Sequence, residues 1–272
     1  MIDETKKMKL DPATLLNPVP VVMVSCSGKN KTDPQDRPNI ITLAWVGTVC
    51  SEPPMVSISV RKSRYSHALI SETGEFVINL VNRKLARACD YCGVKSGEKE
   101  NKFDALSLDA IPADGLEFAP AIAQAPVSIS CKVTSVTQLG SHDMFLAKIV
   151  AISADANLMD KAGKLRLENA DLVCYSHGDY YLVGEPIGFF GYSISNQEVF
   201  KKRMKAIRDS QTRAKSSKKA APKEKKLDVD LLPNKSNTHM KVNTINKQKT
   251  SQKASSAKKP PMIKKNANPK KK

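Results

Sequence analysis

The chain has 272 residues and a formal net charge of +17, from 44 Lys and Arg against 27 Asp and Glu. The charge is unevenly spread, because residues 201–272 hold 24 of the basic and only 4 of the acidic residues. The remaining 20 basic and 23 acidic residues give residues 1–200 a net charge of −3. This split excludes a uniformly basic globule. The length allows one large or two small domains with a sizeable core.

The N-terminus and the cysteines predict a cytoplasmic protein. Met1–Lys9 is charged and no apolar stretch follows, so we expect no secretory signal. No run of about 18 apolar residues is present, so we expect no membrane span. In a reducing compartment the six cysteines would be thiols: Cys26, Cys50, Cys89, Cys92, Cys131 and Cys174.

The first part of the chain predicts strands separated by polar turns. Apolar, β-branched runs predict strands at 19–27, 39–50 and 55–60, with an exposed loop at 29–38. A polar turn at 61–66 follows the third strand. We expect a short helix to begin at His67, with Ser66 as its N-cap.

The second part adds more strands and one clear helix. FVINLV at 76–81 predicts a strand, and helical spacing of apolar residues predicts a helix over Leu85–Cys92. The runs 126–138 and 144–154 predict a hairpin joined by Leu139–Asp143, and 171–182 adds one or two short strands. This pattern predicts a mainly β fold, a barrel or sandwich with a few short helices.

The basic C-terminal segment predicts a disordered tail. Residues 201–272 have almost no periodic apolar pattern and are rich in Lys, Ser, Asn, Gln and Pro, so they cannot bury enough surface to offset chain entropy. Within this segment, only Lys201–Arg208 is predicted to form a short helix, before the disordered part begins. We therefore divide the chain into an N-terminal extension (1–14), a β domain (15–200) and a Lys-rich tail (201–272).

Several motifs in this order and spacing are similar to one known family. They are NIITLAWVGTV (39–49), SRYS (63–66), GEFVINLV (74–81), the DYCG to KF series (90–103), LGSHDMF (139–145) and YSHGDYYLVGEPIGFFGYS (175–193). Over roughly residues 15–193 the chain resembles the flavin reductase-like, flavoredoxin-type family. The resemblance implies a split β-barrel of Greek-key type, a homodimer, FMN near the subunit interface, and NAD(P)H as electron donor.

The resemblance also implies which residues surround FMN. In the polar turn, Arg61, Ser63, Arg64 and Ser66 are assigned to the phosphate region, where cations and hydroxyls suit an anion. Tyr65 of the same turn is also expected to bind the cofactor. Charged turns usually just face solvent, so that remains the alternative. Lys102 either completes the phosphate charge or is an exposed surface lysine, and its neighbour Phe103 packs. The other expected cofactor-binding residues are Thr42, Ala44, Trp45, Thr48 and Ser96.

Aromatic and histidine side chains have competing interpretations. Trp45 is either against the flavin ring or a core tryptophan. His142 is the candidate on the substrate and nicotinamide side of the flavin, with an ordinary turn histidine as the alternative. His177 is interpreted as structural or at the dimer contact, and Asn79 as satisfying buried backbone groups.

The pair Cys89 and Cys92 most readily packs into the core. A thioredoxin-like redox pair or half of a zinc site is the alternative, but neither a βαβ context nor a second C-x-x-C supports it. We predict no metal site.

Two functional classes follow from the sequence. The first is an FMN-dependent oxidoreductase, either an NAD(P)H-dependent flavin reductase or an electron carrier, with a flavin or a redox protein as acceptor. The second is a non-enzymatic FMN-binding scaffold whose basic tail binds nucleic acid or another polyanion without reading sequence.

Overall fold

A curled antiparallel sheet forms the body of the protein in the computed structural model, which describes residues 7, 9–30 and 32–220, without the side chains of 213–220. The strands are β1 (Val19–Pro20), β2 (Val22–Cys26), β3 (Asn39–Leu43), β4 (Val46–Ser51), β5 (Pro54–Arg61), β6 (Glu75–Leu80), β7 (Ala110–Ile111), β8 (Ala121–Ile122), β9 (Val127–Leu139), β10 (His142–Ala154), β11 (Val173–Ser176) and β12 (Asp179–Leu182). The α-helices are α1 (Tyr65–Thr73), α2 (Ala86–Val94), α3 (Lys102–Ala105) and α4 (Gln197–Ala220). Short 3-10 turns lie at Arg83–Leu85, Ala156–Leu158, Leu167–Asn169 and Tyr192–Ile194.

The order of the seven-stranded sheet explains its shape. The order is β3-β2-β6-β9-β10-β5-β4, with antiparallel neighbours throughout. Strands β3 and β4 are consecutive in the chain yet lie at opposite edges, linked only by Ala44 and Trp45. Because so short a link spans at most about 10 Å, the two edges must lie close together. The sheet therefore curls into a barrel that is split between β3 and β4, and the predicted mainly β fold is confirmed.

This geometry corrects the prediction of one strand over 39–50. The apolar run is continuous in sequence, but the chain leaves the first edge after Leu43 and joins the other edge at Val46. The apolar run does not record the break, because it continues from the buried β3 into β4, whose residues are only partly buried or exposed. The strand predicted at 19–27 is likewise divided, since β1 pairs with β11 in a separate three-stranded sheet.

The sheet is buried on both faces along β2 and β6. One apolar cluster fills the interior and includes Phe76 and Phe145. A second cluster lies between the sheet and helices α2 and α3 and includes Met23, Ile40 and Phe103. Strand β2 is buried at every position, which is why its sequence is apolar rather than alternating.

Asn79 stabilises the sheet from within, as predicted. Its Nδ2 donates to the Met23 carbonyl at 3.0 Å and to Ser25 Oγ at 2.9 Å. Its Oδ1 accepts from the Ile122 amide at 3.0 Å and from Ser128 Oγ at 2.8 Å. This fully buried side chain therefore satisfies hydrogen-bonding groups on several strands at once.

Glu75 fixes the loop that follows β7. Its buried carboxylate accepts from the backbone N–H groups of Glu117, Phe118 and Ala119, the shortest at 2.8 Å. Lys132 Nζ lies 3.8 Å from the same carboxylate. The loop is thus held by charge-assisted hydrogen bonds as well as by apolar packing.

The predicted hairpin is confirmed, and the short strands predicted over 171–182 form a second hairpin. Strands β9 and β10 pair along their length with two register shifts, and β11 pairs with β12. The second hairpin turns at His177 and Gly178, whose φ values of 51° and 105° suit a tight two-residue turn. His177 also donates its N–H to Asn17 Oδ1 at 3.4 Å, in agreement with its structural interpretation.

The C-terminal helix corrects the predicted boundary of disorder. Helix α4 spans Gln197–Ala220, so residues 201–220 are helical and the expected boundary at residue 200 falls inside the helix. Met204 is buried and anchors the helix. The sequence did not predict this contact, because Met204 lies among many lysines. The rest of the predicted tail, 221–272, lies outside the described residues. No helix within the described part of the chain is long and apolar enough to cross a membrane.

Candidate functional site

Two adjoining depressions lie at the split in the barrel. The first, called the cleft, has a volume of about 180 Å³ and is lined by Ile41, Thr42, Leu43, Ala44, Trp45, Ser59, Arg61, Arg64 and His142. The second, called the recess, has a volume of about 50 Å³ and is lined by Asn39, Ile41, Ser63, Arg64, Tyr65, Ser66, Cys92, Lys95, Ser96, Gly97 and Lys102. Ile41 and Arg64 line both, so the two depressions are continuous.

The cleft brings together two aromatic residues that are far apart in sequence. The ring of Trp45 lies 4.6 Å from that of His142, centroid to centroid, with the planes tilted by 45°. Trp45 is 47% exposed, so the interpretation as a core tryptophan is wrong. Its position on the link between β3 and β4 places the indole at the mouth of the split.

His142 faces a cation across the sheet. It is the first residue of β10, and its register partner on β5 is Arg61. Partial burial and the Arg61 charge both lower the pKa of His142 from its ordinary 6.5. Ser141 Oγ lies 2.9 Å from Nδ1 of the ring. The imidazole is therefore predominantly neutral at pH 7 and can offer a hydrogen bond without a positive charge.

The recess is strongly cationic. Arg64, Lys95 and Lys102 line it together with the hydroxyls of Ser63 and Ser96, and its lining contains no carboxylate. Three cations and several hydroxyl groups around a small concavity suit an oxyanion with several acceptors. Ser63, Arg64, Tyr65 and Ser66 of the polar turn thus converge with the segment after α2. Arg61, which was also predicted for the phosphate region, lines the cleft instead.

Lys102 forms the buried part of the recess. It is only 2% exposed, so the alternative of an exposed surface lysine is wrong. Its Nζ donates to the carbonyls of Ile40 at 2.6 Å and Cys92 at 2.8 Å. Desolvation lowers its pKa from the ordinary 10.5. An ammonium has three N–H donors, so these two bonds leave one for a further acceptor.

The polar turn is set by how α1 begins. The helix starts at Tyr65 with Arg64 as the N-cap, and no side chain caps it. The prediction that Ser66 caps the helix is therefore wrong. Ser66 is buried within the first turn, where its hydroxyl accepts from Asn39 Nδ2 at 2.8 Å. The first-turn N–H groups of α1 are accordingly left without a capping side chain beside the recess.

Gly97 allows the segment after α2 to approach the turn. A Cβ at this position would collide with the Asn39 amide. Arg37 Nη2 donates to the Gly97 carbonyl at 2.8 Å and fixes the turn from outside. Neither Gly97 nor Lys95 was predicted as a site residue. Only the position of Gly97 within the DYCG to KF series (90–103) pointed to it.

Some of the expected site residues lie elsewhere or act differently. Thr48 is exposed on β4 and lines neither depression. Phe103 is buried in the second core cluster, consistent with packing but not with cofactor contact. Thr42 lines the cleft, but its hydroxyl donates to the Cys89 carbonyl. Tyr65 lines the recess, but its hydroxyl donates to the Gln35 carbonyl.

Cys89 and Cys92 belong to the core, as predicted. Both are buried free thiols in the second apolar cluster. Burial raises the pKa of each to about 12, which keeps them protonated and unreactive.

A partly buried hydrogen bond behind the cleft was not predicted. Nε2 of His67, on α1, lies 2.9 Å from Oδ2 of Asp143, on β10. Asp143 is 4% exposed, and Lys62 Nζ lies 3.5 Å from its other oxygen. The pair connects the helix after the polar turn to the strand that carries His142. Only the neighbouring position of Asp143 in the GSHD motif could have indicated it.

Comparison with known proteins agrees with this geometry. Residues 15–181 match the profile of the family described as flavin reductase-like domain. The structure of flavoredoxin from Desulfovibrio vulgaris (Miyazaki F) superposes with a TM-score of 0.64 at 30% identity, covering 70% of this chain and all of that one.

Two sequence relatives match a smaller part of this chain. An uncharacterized protein of Archaeoglobus fulgidus is 30% identical over 118 residues, which is 43% of this chain and 66%, just under two thirds, of that protein. An NADH:riboflavin 5'-phosphate oxidoreductase of Streptomyces pristinaespiralis is 24% identical over 140 residues, 52% of this chain and 72% of that one. Since the family profile covers more than half of its length, the chain belongs to the flavin reductase-like domain family.

Proposed function

We propose that the chain binds FMN, with the phosphate in the recess and the isoalloxazine ring along the cleft. The observation that carries this proposal is Lys102, a buried ammonium among cationic neighbours. No carboxylate of the described residues lies within ion-pair distance of it. A buried cation without a paired anion is unfavourable, so this arrangement favours an anionic ligand. The adjoining Trp45 supplies a flat apolar surface for a ring system.

FMN, when bound, supplies the redox chemistry by accepting a hydride and passing electrons on. The residues of the chain bind and orient it. Arg64 and Lys102 neutralise the phosphate, and Ser63 and Ser96 offer hydroxyl donors. Trp45 and His142 cover one side of the cleft, where a predominantly neutral imidazole can orient a donor without opposing positive charge on a nicotinamide.

We further propose an oxidoreductase that takes electrons from NADH or NADPH and passes them to a free flavin or to a redox protein. Membership of the family supports the oxidoreductase class. The Streptomyces relative is named for NADH and riboflavin 5'-phosphate, and the Desulfovibrio structure is named as a flavoredoxin. These names support the two variants of the proposal, reductase and electron carrier. The six free thiols are consistent with the proposed reducing cytoplasm.

A homodimer is the assembly that best completes this site. Ligand pockets usually enclose roughly 300–1,000 Å³, more than the cleft and recess provide in one copy. Trp45 lines the cleft, and the exposed apolar residues Val136 and Leu139 lie on β9 at the end of the hairpin that carries His142. A second copy packed against them would cover the ring-binding side.

The decisive test of binding is titration with FMN. Trp45 is the only tryptophan, so quenching of its fluorescence reports occupancy of the cleft. We expect Arg64→Ala to weaken FMN binding about tenfold or more, since charge-assisted bonds to phosphate are strong. Arg83→Ala, an exposed arginine outside both depressions, is the matched control. Unchanged affinity in Arg64→Ala, or equal loss in both variants, would contradict the phosphate assignment.

The reductase and carrier variants are separated by anaerobic reduction. Mixing the FMN-loaded protein with NADH or NADPH should bleach the visible flavin band if the protein accepts a hydride directly. A persistent yellow colour that dithionite removes would instead favour a carrier reduced by another protein.

A further inference from the structure

Helix α4 presents a cationic surface that the proposed redox function does not use. Its sequence holds nine Lys and Arg against Glu198 and Asp209. At 1.5 Å per residue the helix is about 36 Å long. Neither the cleft nor the recess includes any residue of it. Its charge therefore needs an explanation other than FMN binding.

The helix is fixed to the body along one face. Met204 is 3% exposed, and Phe200 and Ile207 are partly buried beside it, at positions that share a face of the helix. The Phe200 ring lies 6.0 Å from those of Phe189 and Tyr192, centroid to centroid. The N-terminus is capped, because Asn196 Oδ1 accepts from the Val199 N–H at 2.8 Å.

Anchoring leaves the basic side chains facing solvent. Lys201, Lys202, Lys205 and Arg208 are all exposed. Arg203 differs, because its guanidinium lies 4.9 Å from the Phe189 ring centroid and so contributes to the anchor. Four cations on a rigid, docked helix form a surface of defined geometry, unlike a flexible lysine-rich chain.

We infer that this exposed face of α4 binds the phosphate backbone of double-stranded nucleic acid. A bilayer-surface helix needs a free apolar face to enter lipid, but Phe200, Met204 and Ile207 of α4 are turned into the protein. Val199 alone is an exposed large apolar side chain among the described residues of the helix. Single-stranded nucleic acid is held largely by aromatic stacking, and α4 exposes no aromatic ring beside its lysines. Lysine-rich surfaces bind duplexes by counterion release without reading sequence.

The inference goes beyond redox chemistry and extends the sequence-based prediction for the tail. That prediction assigned polyanion binding to a disordered 201–272. In the structure, residues 201–220 belong to an ordered helix, and the inference places part of the binding surface on that helix. The remaining lysines, in 221–272, add charge by sequence alone.

The first test is equilibrium binding of the full chain to a fluorescein-labelled DNA duplex, followed by anisotropy over a salt series. The test variant carries Lys201→Gln, Lys202→Gln, Lys205→Gln and Arg208→Gln. Its matched control carries the same charge change at exposed lysines of the body: Lys29→Gln, Lys148→Gln, Lys161→Gln and Lys164→Gln. Retained far-UV circular dichroism shows that both variants fold.

We expect the α4 variant to bind about tenfold or more weakly. The slope of its log affinity against log salt should become less steep by about one for each residue changed. The control variant should bind like the original chain. Equal affinities for the α4 variant and the original chain, or equal losses in both variants, would overturn the inference.

A second test locates the contact within the full chain. Lysines are acetylated with and without the duplex, and the peptides are analysed by mass spectrometry. Protection of Lys201, Lys202 and Lys205 supports the inference, whereas protection confined to lysines of 221–272 overturns it. Stronger competition by single-stranded DNA or by polyglutamate than by unlabelled duplex, or binding to anionic vesicles but not to the duplex, overturns it as well.

Discussion

The side chain of Lys102 has a structural role and, in our proposal, also binds the ligand. Its ammonium joins the carbonyl of Ile40 on β3 to that of Cys92 on α2, and so holds the helix to the sheet. Burial makes the charge unfavourable, and no carboxylate of the described residues lies within ion-pair distance of it, so the third N–H is available to an anion. A phosphate in the recess would accept this hydrogen bond and balance the charge of the ammonium.

This interpretation predicts a ligand-specific loss in Lys102→Met. The variant keeps the length and bulk of the side chain but removes the charge, so FMN affinity should fall about 10- to 100-fold, the range of one charge-assisted hydrogen bond. Riboflavin lacks the phosphate, so its affinity should change far less. Titration of both flavins measures the ratio. A parallel loss for FMN and riboflavin would mean that the substitution only disturbs the fold.

A second prediction concerns the charge state of His142. The Arg61 guanidinium opposes a second positive charge nearby, so it contributes to the lowered pKa of the imidazole. Removing that guanidinium in Arg61→Ala should therefore raise the pKa of His142 back toward its ordinary value. An NMR titration of the imidazole C–H resonance, assigned with His142→Gln, measures the midpoint. Arg83→Ala is the control, and a midpoint that stays or falls in Arg61→Ala would contradict the assigned cause.

At the scale of elements, the sequence predicted most strands because each carries a run of apolar, β-branched residues. It predicted the β9–β10 hairpin and the α2 helix to within a few residues. It could not predict the break at Ala44 and Trp45, because a strand that leaves one sheet edge for another stays apolar throughout. It also missed the anchoring of α4, since Phe200 and Met204 stand among lysines and are buried only by tertiary contacts.

The candidate site was predictable to the extent that its residues lie in local motifs. Arg64 and Ser63 belong to a polar turn whose charge and hydroxyl content predicted an anion-binding region, and both line the recess. The contribution of Lys95 depends on how the segment after α2 folds back over β3, which no local pattern records. The His67–Asp143 pair joins residues 76 positions apart, so only the folded barrel brings it together.

The loop held by Glu75 provides a stability prediction for an element. Glu75→Ala leaves three backbone N–H groups without their acceptor, and we expect it to lower the free energy of unfolding by roughly 3 kcal/mol. Glu72→Ala, an exposed carboxylate on α1, should change it by less than about 0.5 kcal/mol. Urea denaturation followed by circular dichroism measures both. Similar midpoints for the two variants would show that the carboxylate does not hold the loop.

For the whole molecule, the open cleft leads us to expect that the proposed FMN binding and the proposed dimer assembly depend on each other. The ring-binding side is bounded by Trp45 and His142, but solvent reaches it from outside the barrel. In a homodimer, the partner surface would exclude that solvent and strengthen the electrostatic contacts inside. Dimer formation should then depend on the apolar residues near the cleft, and FMN affinity should depend on dimer formation.

Val136 is the residue that best tests this dependence. It is 46% exposed on β9, near the hairpin end that carries His142, yet it lines neither the cleft nor the recess. We expect Val136→Lys to shift the protein from dimer to monomer in sedimentation velocity, because burying an unpaired ammonium in an interface is unfavourable. FMN affinity should fall with it and recover in part at high protein concentration. Ile111→Lys, at a similarly exposed residue on the short β7 strand, should leave both assembly and affinity unchanged. A monomeric Val136→Lys that binds FMN as tightly as the original chain would show that one copy forms the complete site.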